Sequence, residues 1–206
     1  MISRRIHMQA ALLATLAVLA VSSHAQTAEL PTDIERQLPT GYEVMTFQPS
    51  DFNKDGKVDY VVVVSDINEK HAVAQGDTAP RRPLLVFIQG DKGRFPLTAR
   101  NDDVVFAADE GGQCDPFLDG GEGLAVKGVF FTVQNSVACG SHWSDYITFR
   151  YSTKHRNFIF HKRIFESLDF NHSSTPSADA LVPGKRSVTN ANKKKPIMLS
   201  AYKPDV

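Results

Sequence analysis

Nine residues, Asp51-Phe52-Asn53-Lys54-Asp55-Gly56-Lys57-Val58-Asp59, place oxygen-bearing side chains at alternate positions of one short stretch. Asp51, Asn53, Asp55 and Asp59 stand at positions 1, 3, 5 and 9, and Lys57 at position 7 can offer its carbonyl. Gly56 at position 6 permits the tight turn that aims these oxygens inward. A hard cation such as Ca2+ takes about six to eight oxygen ligands, and this alternation supplies most of them, with water completing the set. The expected metal set is therefore Asp51, Asn53, Asp55, Lys57 and Asp59, with a structural Ca2+ as cofactor. The stretch is not an EF-hand, because position 12 is Val62 rather than a bidentate glutamate. The other reading is a group of Asx turns that hold their own backbone without a metal.

A second constellation lies in "GGQCDPFLDGGEG" and "CGSHWSDY". Cys114 and Cys139 are the two cysteines of the chain, and an even count favours a disulfide if the chain meets an oxidising compartment. The chain-entropy view gives such a bridge roughly 3–4 kcal/mol of stabilisation. Once joined, the two segments bring Asp115, Asp119, Glu122, His142, Trp143 and Asp145 into one neighbourhood. An acid, a histidine and an aromatic there could form a hydrolytic or sugar-binding site. The plainer reading is a disulfide-tied loop with Trp143 covering the sheet edge. His142, Trp143 and Asp145 are the expected partner surface, and no residue is assigned a catalytic role. No G-x-S-x-G or H-E-x-x-H motif is present. His71, His155, His161 and His172 have no metal-ligand spacing.

The elements that must position these residues read mainly as strands. Residues 1–25 look like a secretory leader, with Arg4 and Arg5 ahead of the apolar run Ala10 to Val21 and small residues before a cleavage point after Ala25. Without that leader the chain is slightly acidic, so nothing in its charge points to nucleic acid. No second long apolar run follows, so no transmembrane segment is expected after cleavage. A periplasmic or secreted location is expected.

Residues 26–171 read as one β-rich core domain. "PTDIERQLPTGY" predicts a short helix capped by Thr32 or Asp33, and "INEKHAVAQGDTAPRR" a surface loop. "VDYVVVVSD" is apolar on both faces, as a covered central strand is. "PLLVFIQG", "RFPLTAR" and a short piece at Val104 to Ala107 also read as strands. Lys127-Gly128 marks one hairpin and "TKHRN" another. Residues 172–206 read as a polar, partly extended segment with a possible edge strand at "IMLSAY". The fold expected is mainly β (α+β with one short N-terminal helix): a single-domain antiparallel sheet of hairpins, without the repeats a propeller needs.

Two resemblances add to this reading. "DFNKDGKVDYVVVV" resembles the calcium loop of FG-GAP/VCBS-type β modules, in which D-x-[DN]-x-D-G-x-x-D leads into an apolar strand. That likeness implies a calcium ion pinning a β-turn. More of the chain resembles a group of uncharacterised exported bacterial proteins. The matching residues are Pro39 with Gly41-Tyr42, Arg82-Pro83-Leu84-Leu85, Arg100-Asn101-Asp102-Asp103-Val104-Val105, Asp115-Pro116-Phe117 and Cys139-Gly140-Ser141-His142-Trp143. This second likeness implies a shared single domain and brings no activity with it. The function expected is a non-catalytic binding or structural module that meets a protein or glycan partner. The alternatives are an exported hydrolase using His142 with Asp115 or Asp145, and a periplasmic toxin-neutralising protein.

Overall fold

The computed structural model describes residues 29–119, 123–140, 142–173, 175, 177 and 179–204. The expected leader and Glu122 lie outside the described residues. Strands β1 (Tyr42–Ser50), β2 (Asp59–Asp66), β3 (Leu84–Phe87) and β4 (Leu97–Asn101) form one antiparallel sheet in that order. Strands β5 (Leu124–Lys127), β6 (Phe130–Val137), β7 (His142–Ser152), β8 (Asn157–Phe170) and β9 (Leu181–Asn190) form a second, also in chain order. Neither sheet closes into a barrel, and no propeller is formed among the described residues. The helices are short: α1 is Thr32–Glu35 and α2 is Glu69–Gln75. The chain is thus mainly β, as its hairpins predict.

The four valines of β2 explain how the layers stack. Successive strand residues point to opposite faces. Val61 and Val63 enter the core shared with the second sheet, among Leu84, Val86, Phe131, Ile147 and Phe149. Val62 and Val64 enter a smaller core on the reverse face, with Ile34, Leu85, Phe87 and Phe95. All four are fully buried, each contributing about 1.5–3 kcal/mol. β2 is an interior strand between β1 and β3, covered on both faces.

Three local expectations need correction. The first helix is a single turn, with Pro31 at its cap position and no side-chain cap. The Asp33 carboxylate instead accepts the Phe95 N–H at 2.8 Å, which pins the β3–β4 connection under α1. The stretch after β2 is not all loop, because α2 forms there. Gly76 ends it with φ of 78°, a left-handed conformation glycine adopts without strain. Val104 to Ala107 is not a strand, although these residues are buried. Buried Asn135 takes the place of a pairing strand, accepting the Phe106 N–H and donating to the Val104 carbonyl.

Residues beyond 171 add a strand and a return to the core. β9 pairs along β8 as the outer strand of the second sheet. "IMLSAY" is not the edge strand; it carries one isolated bridge, Met198 to Ile159, and a 3-10 turn at Leu199–Ala201. Leu199 and Tyr202 are core residues, and Tyr202 stacks on Phe160 with ring centroids 4.5 Å apart. Asn101 fixes this return by donating to the carbonyls of Leu199 and Tyr202.

Candidate functional site

The acidic loop joins β1 to β2 and is tightly self-bonded. Asp51 accepts the N–H groups of Asp55 and Gly56 at 3.1 and 3.0 Å. Asn53 accepts the Asp55 N–H at 2.9 Å, and Asp55 accepts the Lys57 N–H at 3.0 Å. Asp59 is fully buried and accepts the N–H groups of Phe52 and Gln89 at 2.9 and 2.8 Å. Burial pushes the Asp59 carboxyl up, against the pull of those two donors. Asp55 moves down: desolvation, the largest single influence, raises it and is outweighed by the combined pull of the Lys57 N–H, the Asn53 side chain and the Lys57 ammonium, 3.6 Å away. Among the described residues no group of three His, Cys, Asp or Glu side chains is gathered as a metal set. The donor chemistry is all hard oxygen, which suits calcium, and each oxygen bonded by one N–H keeps a second lone pair.

Cys114 and Cys139 are joined, with Cα atoms 6.2 Å apart. Beside them is a residue that the sequence reading did not single out for a role. Arg82 is wholly buried and clasped from two sides. Its guanidinium donates to both oxygens of Glu69 at 2.7 and 2.8 Å, to both oxygens of Asp115, and to the Phe106 carbonyl at 3.1 Å. Desolvation alone would lower the Arg82 pKa, and the bonds to Asp115 and Glu69 raise it above its usual value. Asp115 is pushed up by burial and pulled further down by Arg82, ending below its ordinary value. Asp115 also accepts the N–H groups of Phe117 and Leu118, while its own N–H donates to Asp119. These two acids organise the loop.

The third region is a cleft on the inner face of the second sheet. β7 and β8 are the longest strands of the molecule, with 11 and 14 residues. At one end their inner face carries Ile147, Phe149, Phe158 and Phe160 into the shared core. Toward the other end the same face presents Asp145 and Trp143 from β7, Arg163 and Phe165 from β8, and Lys185, Ser187 and Thr189 from β9. No residue of the four-stranded sheet lines this end, so the face is left as a cleft of 480 Å3, with Phe106 and Glu110 at its side. Trp143 stacks beside Phe165 at 6.3 Å and 25°, and Phe106 lies 6.0 Å from it. Beneath them Arg163 clasps fully buried Asp145, with contacts of 2.7, 2.9 and 3.0 Å. Burial pushes the Asp145 carboxyl up, and Arg163 only partly pulls it back.

Of the expected partner surface, Trp143 and Asp145 come together and His142 does not. His142 adjoins Trp143 in the strand and so points to the reverse face. There it meets the edge of Phe170 at 6.0 Å, and its buried Nδ1 has no hydrogen-bond partner among the described residues. Asp145 is held by Arg163 and Asp115 by Arg82, so neither acid is arranged as the partner of His142. Reading missed Arg163, Phe165, Lys185, Ser187 and Thr189. Lys185, Ser187 and Thr189 fall in the stretch expected to be polar and partly extended, and only the register, Asp145 opposite Phe165 opposite Ser187, puts these residues beside Trp143.

No family model, no curated protein and no solved structure matches this chain. No helix among the described residues is long and apolar enough to cross a membrane.

Proposed function

We propose that this is an exported, non-catalytic binding module that holds a saccharide in the cleft beside Trp143. The observation that carries the reading is the Trp143–Phe165 shelf laid over a fixed Arg163–Asp145 pair. The flat ring of Trp143 offers an apolar surface to the C–H face of a sugar. Ser187 and Thr189 supply hydroxyls at the open side, within the size range of small-ligand sites. Aromatic rings give large contact area with few torsions to immobilise, and the ion pair beneath is already formed before a ligand arrives. A hydrolytic role finds less support: a general acid or base must stand within reach of its partner, and both candidate acids are held by arginines.

Trp143 is the sole tryptophan in the sequence, so intrinsic fluorescence reports on the cleft directly. Titration with a panel of soluble neutral and acidic oligosaccharides is expected to give a saturable change in emission with at least one of them. Phe165→Ala should weaken that binding about tenfold, the loss of one aromatic neighbour. A panel that leaves the emission unchanged would end the proposal.

The loop between β1 and β2 is proposed to take a structural calcium ion on Asp51, Asn53, Asp55, Asp59 and the Lys57 carbonyl. An ion that binds only the folded state stabilises it by about 2.7 kcal/mol at a hundred times Kd, roughly 5–10 °C in Tm for a chain of this size. Thermal unfolding with millimolar calcium against a chelator should show that rise, and Asp55→Ala should abolish it. Identical melting curves with and without calcium would leave the loop held by its backbone N–H groups alone.

A further inference from the structure

The charges that face the cleft are not equally satisfied. Asp145 is matched by Arg163. Glu110 receives Arg81 at 3.1 Å and the Ala107 N–H at 2.6 Å. On β9, Arg186 turns to Glu166 at 2.7 Å on the reverse face. Lys185 has no such partner among the described residues. Its ammonium stands over the Phe165 ring, 6.0 Å from the ring centre, on an exposed residue. A ring seated against Trp143 therefore meets a cation that has an aromatic face but no carboxylate partner among the described residues, with the hydroxyls of Ser187 and Thr189 along the same strand. An anionic group on the ligand is what this arrangement favours, because charge-assisted hydrogen bonds are the stronger kind.

We propose that the cleft selects saccharides that carry a carboxylate: a uronic-acid ring lies on Trp143 and its carboxylate meets the Lys185 ammonium. This rests on the saccharide-binding reading above and adds the charge of the ligand to it. The Arg163–Asp145 pair fixes the strands that carry the shelf, while Lys185, on a flexible stem, reads the acid as a point charge.

The test uses Trp143 emission with two probes that share a shape and differ in charge, trigalacturonate and its fully methyl-esterified form. The free acid is expected to bind about tenfold more tightly at low salt, with the preference narrowing as salt screens it. Lys185→Met should bring the two probes to equal affinity, and Lys185→Arg should restore most of the preference. Lys185 is exposed, so neither variant threatens folding. Equal affinity of acid and ester for the unaltered protein would overturn the inference and leave the saccharide reading standing. Tight binding of 4-hydroxybenzoate, with none of either saccharide, would overturn both.

Discussion

Arg82→Met is expected to lower the unfolding free energy by about 3–5 kcal/mol, because it leaves buried Glu69 and half-buried Asp115 without their cation. For a chain of this length each kcal/mol moves Tm by about 2–4 °C, so a fall on the order of 10 °C is expected in thermal unfolding. The loss comes from the stranded charges more than from the missing side chain. Glu69 and Asp115 are both drawn into the interior by the same guanidinium. Adding Glu69→Gln and Asp115→Asn to Arg82→Met should therefore recover part of the lost stability. Arg82→Lys should rescue poorly, since one ammonium cannot donate in pairs to two carboxylates. A loss below about 1 kcal/mol for Arg82→Met would show that the clasp is of little consequence.

The same clasp carries a pH dependence of known sign. Arg82 holds Asp115 below its ordinary value, so the folded state binds that proton less readily than the unfolded chain does. The stabilisation is complete above the unfolded carboxyl value, about pH 4, and is lost as pH falls through the lower folded value. Asp59 and Asp145 are shifted the other way by burial. Their protonation on acidification favours the folded state and offsets part of the loss. Comparing acid unfolding of the parent with Asp115→Asn isolates the Asp115 share, and the variant should lose stability less steeply.

What the sequence disclosed depended on how local the signal was. The valine run, both hairpins and the cysteine pair were legible because each is read within one segment or from one count. Helix α2 was overlooked although Gly76 marks its end, because "EKHAVAQ" presents a polar surface and a single buried residue, Glu69. That glutamate is inside only because Arg82, thirteen residues on, draws it there. Phe106 and Asn135 show the same limit: an amide completing the pairing of a distant segment has no sequence signature. The cleft needed three strands in register before its residues became neighbours. The aromatic residue Trp143 was legible alone; the charges around it were not.

Phe52→Ala is expected to cost about 3–5 kcal/mol, the range for truncating a fully buried phenylalanine. Phe52 is position 2 of the acidic loop, yet it is wholly buried between the two sheets. Its ring meets Phe158 edge-on at 5.1 Å and Phe131 at 6.2 Å, both from the second sheet. Its N–H is held by Asp59 Oδ2, so the first residue of β2 fixes where the ring enters the core. The polar turn and the core are thereby one device: the carboxylates shape the loop, and the loop delivers an aromatic side chain across the layer boundary. Asp59→Ala should cost about 1–3 kcal/mol for stranding the buried Phe52 donor, and less for the half-buried Gln89 donor. The double variant should lose less than the sum, since a misplaced ring and an absent ring forfeit the same contacts. Calcium separates the two parts of the device. Phe52→Ala keeps every oxygen donor and should keep the rise in Tm proposed for calcium, while Asp59→Ala should lose it. Additive losses in urea unfolding would mean that the turn and the ring act independently, and that Asp59 serves the strand rather than the plug.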